Sequence, residues 1–331
     1  SYFFGGISGS ASADTASLGS ILIPMMVDQG YDDDFSANVT MTSSVQGILI
    51  PPSHNMVIYA TVAGSVSIGR LFIAGYMPGI LLGVALMIYS FYVSVKKNYP
   101  RGEAFNLKTF LKVGMDAVWG LFTVLIVVVG VVAGVFTATE SAAVAVIWAL
   151  FCGAFIYRQL TFKDFWQVLE NALNTLAIVL ILIATSSAFS WCLTYLKVPS
   201  IMATAVLSIT HNKIMILLMM NVIMLIFGTM MDMSCNILLL TPILLPIAQQ
   251  IGVDPVQFGC IMILNLGIGL ITPPVGSTLF IGSAISKVPI ERLGKTLIPF
   301  FAVMLVVLAV VTYWPAFTMT MPNIIMPVAA G

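Results

Sequence analysis

The chain has 331 residues, of which 60% are hydrophobic and only 8% are charged. Soluble domains carry about 25% charged residues, so this composition excludes a soluble globular protein. Thirteen basic and thirteen acidic side chains give a formal net charge of zero, which leaves no basic surface for nucleic acid. The apolar runs are long rather than alternating, so we expect an all-α polytopic membrane protein embedded in the lipid bilayer.

Taken in chain order, the N-terminal part predicts a helix that is broken in its middle. A stretch of small polar residues, 5–15, comes first, and a helical run to Pro24 and a solvated acidic turn at 28–34 follow. The next apolar segment, 36–64, contains Pro51-Pro52, and proline both lacks the helix donor and clashes with the preceding turn. A bilayer core of about 30 Å is too thin for an intact helix of this length, so we predict two half-helices with an unwound centre.

The middle of the chain predicts membrane-crossing helices joined by charged connectors. Full crossings are expected at 72–95, 115–136, 141–157 and 171–195, with a short outer-face helix at 198–211. The connector 96–112 carries five Lys and Arg residues, which predicts a cytoplasmic position by the positive-inside rule. Glu140 then lies at an outer turn and heads the following helix, where we expect a structural role.

The second Pro-Pro pair, Pro273-Pro274, lies 222 residues after the first, and the same offset aligns much more of the chain. It pairs Gly6 with Gly228, Ser12 with Ser234, Pro24 with Pro246, Asp32 with Asp254, Gly47 with Gly269 and Arg70 with Arg292. Helix breakers in register over roughly sixty residues indicate an internal duplication. The second copy ends among several Lys and Arg residues whereas the first ends with Arg70 alone, so the two copies are predicted to be inverted relative to each other.

The polar stretches 5–15 and 228–236 fall at mid-membrane depth and are predicted to be the tips of two re-entrant helical hairpins. The incoming arm of the second hairpin is 212–228; that of the first would precede residue 1, so we expect the full protein to begin earlier. The predicted domains are a first transport-domain repeat at 1–71, scaffold helices at 72–211, a second transport-domain repeat at 212–295, and a C-terminal scaffold helix and tail at 296–331.

Hairpin tips and broken helices supply what ion-coupled transporters use: helix N-termini for anions, and freed carbonyls with hydroxyls for a hard cation such as sodium. Each repeat offers one tip and one break, so we predict two quasi-equivalent sodium sites. The first draws on Ser8, Ser10, Ser12, Asp14, Gly47, Ile50, Ser53 and Asn55, and the second on Thr229, Asp232, Ser234, Asn236, Gly269, Thr272 and Ser277. Gly47 and Gly269 are expected to let backbones approach closely. The alternative is that these small polar residues only pack helices together.

Asp14 and Asp232 are acids at mid-membrane depth, where a charge is costly and usually functional. They could bind the ion, hold hydroxyl or amide groups of a substrate, or be protonated. His54 lies inside the first break and either contacts the substrate or, as we favour, holds the loop by a hydrogen bond. The sequence carries no HExxH or P-loop motif and its cysteines lack metal-ligand spacing, so it predicts neither an enzyme nor a cofactor beyond the coupling ion.

Five stretches closely resemble the large membrane subunit of tripartite ATP-independent periplasmic (TRAP) transporters. They are Phe4–Ala16, Ile50–Ser53, Leu71–Gly79, Phe136–Ala142 and Ile271–Gly276. The hairpin-tip and Pro-Pro motifs are specific in combination, and the likeness extends from residue 1 to about residue 315.

The resemblance implies an inverted-repeat, elevator-type transporter of the bacterial inner membrane, in which inward-flowing sodium drives the uptake of an organic acid. It implies two partners, a periplasmic substrate-binding protein and a small four-helix membrane subunit, separate or fused. Ser10 and Asp232 are carried over as substrate contacts, and Ser53, His54 and Asn55 are further predicted substrate-binding residues. The His54-Asn55 pair favours the sialic-acid branch over the C4-dicarboxylate branch. The alternatives are an elevator-type carrier that works without a binding protein and a passive channel or scaffold subunit.

Overall fold

The computed structural model describes residues 9–100, 107–158, 160–198, 201–202, 204, 208, 210 and 212–327. Within these ranges the chain forms helices and no strand, as the composition predicts. The chain divides into two compact units, Ser1–Pro100 with Phe189–Gly331, and Arg101–Ala188. Ser8 lies outside the described residues, as does most of the outer-face helix predicted at 198–211.

The first repeat folds as four described helices. They are α1 (Ala11–Asp28), α2 (Asp33–Gly47), α3 (His54–Ala63) and α4 (Ile68–Lys96). Helices α2 and α3 are the two halves of the predicted broken segment, and the gap between them holds Pro51-Pro52. The prediction that α1 ends at Pro24 is wrong, since the helix continues through it to Asp28. A proline removes one donor, but its fixed φ of about −65° is helical, so the last turn of α1 can follow it.

The unit Arg101–Ala188 contains the helices that follow. They are α5 (Leu107–Val132), α6 (Ala138–Phe151) with a π-helical turn at Cys152–Ile156, and most of α7 (Phe162–Tyr195). Thr137 and Glu140 form a capping box at the start of α6. The Glu140 amide donates to Thr137 Oγ1 at 3.3 Å, and the Thr137 amide donates to the Glu140 carboxylate at 2.8 Å. Both donors would otherwise be unpaired at a helix start, which confirms the structural role predicted for Glu140.

The second repeat and the C-terminus complete the described chain. The helices are α8 (Lys213–Met230), α9 (Met233–Gln250), α10 (Pro255–Leu270), α11 (Ser277–Ser286), α12 (Ile290–Tyr313) and α13 (Pro315–Ile325). Helices α8 and α9 form the predicted second hairpin, and α10 and α11 are the halves of the second broken segment. Helices α4, α8, α9 and α12 are each long and apolar enough to cross a membrane, as is the segment Thr139–Ile156, whereas α10 and α11 are apolar but shorter.

The helices of one repeat make the same packing contacts as the equivalent helices of the other repeat. In this equivalence α1, α2, α3 and α4 correspond to α9, α10, α11 and α12. Helix α1 packs on α2 and α11, and α9 packs on α10 and α3. Helix α4 packs on α2, α3 and α10, and α12 packs on α10, α11 and α2. These contacts do not depend on the alignment of the sequence with itself, so they support the duplication independently.

The two broken helices run in opposite directions. At one end Arg292, at the start of α12, donates to Asp33, the first residue of α2, with Nη2 and Oδ1 2.7 Å apart. At the other end the hydroxyl of Tyr59 in α3 donates to the carbonyl of Pro255, the first residue of α10, at 2.7 Å. The end of each broken segment thus lies beside the beginning of the other, as an inverted repeat requires.

The acidic turn before α2 is held more firmly than the sequence predicts. Asp32 forms an ion pair with Lys97 and accepts from the Tyr99 hydroxyl at 2.8 Å, and chiefly the hydrogen bond from Lys97 keeps the pKa of Asp32 below its usual value. Asp34 is only 7% exposed and lies 3.6 Å from Arg292 Nε. The prediction of a solvated turn therefore holds for Asp32, which is exposed, but is wrong for Asp34, because the inverted packing brings the end of α4 and the start of α12 to this turn.

Helices α4 and α12, predicted to belong to the scaffold, pack in the same compact unit as the hairpin arms and the broken helices. When packing is the only criterion, the chain divides into its two compact units near residues 100 and 188. Which helices move and which stay fixed during transport, with the predicted boundaries at 71, 211 and 295, remains a prediction.

Candidate functional site

The two breaks have closely related backbones. Each interrupts a helix for six residues, 48–53 between α2 and α3 and 271–276 between α10 and α11, and the peptide bonds Pro51-Pro52 and Pro273-Pro274 are both cis. The second break ends at Gly276, whose φ is +48°, and a Cβ there would lie 2.8 Å from the Thr272 carbonyl oxygen and 3.0 Å from that of Leu270. Backbone carbonyls therefore converge at this point, and glycine is the residue that leaves room for them.

The second hairpin tip is bound directly to the second break. The carbonyl of Thr229 accepts from the amides of Val275 and Gly276 at 3.2 and 3.1 Å. Just before the break, Gly269 lies against Gly228 so closely that a Cβ on Gly269 would come within 2.6 Å of Gly228 Cα. The close backbone approach predicted for Gly269 is thus present, and it joins α8 to α10.

A buried amide holds the second tip in shape. Asn236 is 0% exposed, and its Nδ2 donates to the carbonyls of Phe227 and Met231, both at 3.1 Å. These two carbonyls come from the end of α8 and from the tip itself. Asn236 corresponds to Asp14 under the 222-residue offset, and Asp14 is likewise 0% exposed in α1.

The first hairpin tip lies against the first break in the same way. A Cβ on Gly9 would lie 3.2 Å from the carbonyl oxygen of Pro52 and 3.2 Å from the amide nitrogen of His54. The exposed imidazole of His54 is hydrogen-bonded to the backbone of Gly9. This hydrogen bond agrees with the loop-holding role that the sequence favours for His54, and that role stays a prediction.

Each tip also reaches the break of the other repeat. Ser12 Oγ in α1 lies 3.2 Å from Thr278 Oγ1 and 3.5 Å from Ser277 Oγ, at the start of α11. In the opposite direction, Asp232 at the second tip is close enough to His54 to act on it electrostatically. Ser12, predicted for the first sodium site, and Ser277, predicted for the second, thus lie beside each other, because α1 packs on α11.

These contacts bring four helix N-termini into one region. Helices α1, α3, α9 and α11 begin there, and their N-cap residues are Ser10, Ser53, Asp232 and Gly276. Ser10 and Asp232 occupy equivalent positions in the two repeats and both cap with the side chain, Ser10 accepting from the Ala13 amide at 3.4 Å and Asp232 from the Ser234 amide at 2.9 Å. Helix N-termini carry a partial positive charge of about +0.5 and orphan N–H groups, so their convergence favours an anion.

The same region contains buried oxygen atoms that lack hydrogen-bond partners. Among the described residues these are Ser53 Oγ, Asn55 Oδ1, Asn236 Oδ1 and Thr15 Oγ1, and the side chains that carry them are at most 3% exposed. Buried polar groups are normally hydrogen-bonded, so an unpaired set near two helix breaks needs an explanation. Neutral oxygens of this kind are suitable ligands for a sodium ion, and the residues present therefore fit the predicted cation.

Other predicted sodium ligands already have partners. Thr229 Oγ1 donates to the Ile226 carbonyl at 2.9 Å, and Thr272 Oγ1 donates to the Ile268 carbonyl at 2.7 Å. The carbonyls of Gly47 and Gly269 accept from the amides of Ile50 and Thr272 at 3.4 and 3.0 Å. An oxygen has a second lone pair, so these contacts do not exclude ion binding. The roles predicted for Ser12, Asp14, Gly47, Ile50, Thr229, Ser234, Asn236, Gly269, Thr272 and Ser277 stay predictions, and Ser8 lies outside the described residues.

Two buried hydroxyls of this region are not among the site residues predicted from the sequence. Thr278 contacts Ser12, and Thr15 follows Asp14 directly, and both are 0% exposed. Under the repeat offset Thr278 corresponds to Met56 and Thr15 to Ile237. Because these counterparts are apolar, comparison of the two copies does not identify the two threonines. The sequence signal that could have identified them is their position directly after predicted residues, Thr15 after Asp14 and Thr278 after Ser277.

An all-helical membrane protein of two inverted copies, with helix N-termini meeting at two breaks, is a secondary-transport permease. The chain belongs to the family described as "Tripartite ATP-independent periplasmic transporter, DctM component", whose family model matches residues 1–317. It is a multi-pass protein of the bacterial inner membrane and not an enzyme.

Three relatives illustrate the family. The chain is 44% identical to the isethionate TRAP transporter permease protein DctMQ of Oleidesulfovibrio alaskensis, covering 96% of this chain and 50% of that protein. It is 39% identical to the C4-dicarboxylate TRAP transporter large permease protein DctM of Pseudomonas aeruginosa, covering 97% and 75%. It is 37% identical to the sialic acid TRAP transporter large permease protein SiaM of Vibrio cholerae, covering 98% and 76%. The chain thus spans half the length of the first relative and about three quarters of the other two.

Proposed function

We propose that this chain is the large membrane subunit of a sodium-coupled transporter that takes up a small organic acid. The observation that carries the proposal is the convergence of four helix N-termini around buried oxygens that have no hydrogen-bond partner within the described ranges. One region then offers a favourable position for an acid group and ligands for a hard cation.

In this proposal sodium and the acid bind side by side, and each stabilises the other. Opposite unit charges 4 Å apart attract by about 4 kcal/mol at an effective dielectric constant of 20. Sodium also offsets the carboxylate of Asp232, which by itself repels an acidic substrate. Asp232 then accepts from a hydroxyl or amide group of the substrate, while the acid group lies at the N-termini of α1 and α3, beside Ser10 and Ser53.

The substrate is proposed at the level of an organic acid. The three relatives are named for isethionate, C4-dicarboxylates and sialic acid, at 44%, 39% and 37% identity, so similarity alone does not choose among them. The exposed His54 and the adjacent Asn55 support the sialic-acid branch, as the sequence suggests. Competition of uptake by sialic acid against succinate tests this choice, and stronger inhibition by succinate would contradict it.

Two partners complete the proposed transporter. A periplasmic substrate-binding protein delivers the acid, and a small four-helix membrane subunit extends the scaffold around the elevator. The family's description as tripartite and periplasmic supports both.

Uptake into proteoliposomes that contain the full-length complex, with and without an inward sodium gradient, tests the proposal. We expect the loaded binding protein to drive uptake of labelled acid only when the gradient is present. Uptake that is indifferent to sodium contradicts the symporter and favours a passive channel. Sodium-driven uptake of the free acid without the binding protein favours a carrier that works alone.

A further inference from the structure

Arg70, near the start of α4, is a buried guanidinium that forms no ion pair with an acid among the described residues. It is 9% exposed, and Nη2 donates to Asn323 Oδ1 at 2.8 Å. Its Nε and Nη1 have no hydrogen-bond partner, and it forms no ion pair in the part of the chain that the structure describes. A guanidinium stays charged in proteins, and a buried charge without a partner is strongly destabilising. A neighbouring anion would therefore stabilise the buried guanidinium of Arg70.

The matching arginine of the second repeat, Arg292, has acidic partners. Arg292 binds Asp33 at 2.7 Å and lies 3.6 Å from Asp34, both at the start of α2 in the other repeat. Under the 222-residue offset, the residues that would serve Arg70 in the same way are Pro255 and Val256, at the start of α10. Neither side chain carries a charge, so the exchange of repeats preserves the helix packing but not this ion pair.

A cavity of about 290 Å³ occupies the corresponding place. Arg70, Pro255 and Val256 line it, together with the exposed Ser65 and Ser67 at its rim and the chain just after α13. The acid in its lining is Asp254, which caps α10 by accepting from the Val256 amide at 2.7 Å and forms no ion pair with Arg70. The cavity thus contains a guanidinium that forms no ion pair among the described residues, with one carboxylate elsewhere in the lining, and it has room for a small anion.

The cavity is separate from the candidate transport site. Arg70 follows α3, whose first residue is His54, and the ten residues of α3 extend over about 15 Å. The cavity lies at the end of the molecule opposite to Lys97 and Arg292, which is the outer end by the positive-inside rule.

We propose that this cavity is a second anion site, which binds a small carboxylate from solution against Arg70. The carboxylate takes the position that Asp33 has against Arg292, and the planar guanidinium suits it because both oxygens can accept from one fork of N–H groups. Binding supplies a countercharge at the position where Pro255 and Val256 replace Asp33 and Asp34 of the first repeat, and it ties the start of α4 to the start of α10.

Thermal unfolding of the full-length transporter in detergent, in sodium-free buffer, tests the site. Potassium acetate replaces potassium chloride at constant ionic strength, so that only the anion changes. We expect a saturable rise of a few degrees in the unfolding temperature of the wild type, because a ligand that binds only the folded state stabilises it. Arg70→Gln should lose this response, and the matched control Arg292→Gln should keep it.

A gain-of-charge variant keeps the test decisive if Arg70→Gln does not fold. Asn323→Asp turns the existing 2.8 Å contact of Arg70 into an internal ion pair. We expect this variant to unfold at a higher temperature than the wild type and to ignore acetate. A wild type without an acetate response, an Arg70→Gln variant that keeps it, or an Asn323→Asp variant with the full response would each overturn the proposal.

Discussion

The contact between Gly228 and Gly269 gives a prediction whose size follows from the structure. In Gly269→Ala the added Cβ would lie 2.6 Å from Gly228 Cα and 2.9 Å from its carbonyl oxygen. All the nearest atoms belong to backbone, which has no rotamer to change, so α8 and α10 must separate. Overpacking costs up to about 3 kcal/mol, and the better helix propensity of alanine returns up to about 1 kcal/mol. We expect a net loss of about 2 kcal/mol in the free energy of unfolding.

Thermal unfolding and sodium-driven uptake of the full-length protein measure this effect. At roughly 2–4 °C per kcal/mol, Gly269→Ala should unfold about 4–8 °C below the wild type. Uptake should also fall, because separation of the helices draws the Thr229 carbonyl away from Val275 and Gly276. The matched control is Gly114→Ala in α5, where a Cβ meets no atom within 4 Å. If Gly269→Ala behaves like this control in both assays, the tip and the broken helix are not in backbone contact in the working protein, and the reasoning fails.

Three further predictions address single side chains. Asp232→Asn keeps an acceptor for the Ser234 amide but removes the charge, so we expect an unchanged unfolding temperature and loss of uptake; normal uptake would limit Asp232 to capping α9. Ser53→Ala removes a buried hydroxyl without a partner, and we expect the sodium concentration for half-maximal uptake to rise roughly tenfold, about 1.4 kcal/mol. Its control is Ser44→Ala, whose hydroxyl donates within α2 at 2.9 Å, and equal sodium dependence in both variants would exclude Ser53 as a ligand. The pKa of Asp32 is lowered in the folded protein, so its ion pair with Lys97 stabilises the fold at neutral pH and is lost as the pH falls through that pKa. Lys97 and Asp32 are 47% and 45% exposed, so Lys97→Met should cost at most about 1 kcal/mol at pH 7 and less on acidification; a difference that does not vary with pH contradicts this.

The helix bounds of the two repeats were largely predictable because their determinants are local. Proline acts on its own turn, so Pro51-Pro52 and Pro273-Pro274 locate both breaks within a few residues. The inversion could also be predicted, because Lys and Arg distribution depends on the side of the membrane and not on packing.

The assembly of the site could not be predicted because it depends on contacts between distant segments. Ser12 meets Thr278 across 266 residues, and the repeat offset compares Ser12 only with its own counterpart, Ser234. The burial of Asp34 has the same origin, since Arg292 arrives from the other repeat. From its charge and hydropathy Asp34 is expected at the surface. Its cationic partner, Arg292, is identified only from the three-dimensional fold.

The contact of Ser12 with Thr278 also has a consequence for biosynthesis. At about 5–20 residues per second, a ribosome makes Thr278 roughly 13–53 s after Ser12. During this interval α1 is complete, but α11, on which it packs, does not yet exist. Until then the first tip can meet its own break, as Gly9 meets Pro52 and His54, but Ser12 lacks its partners in α11. A nascent chain released before α11 has been synthesised carries most of its membrane helices but lacks every contact that α11 makes in the transport site.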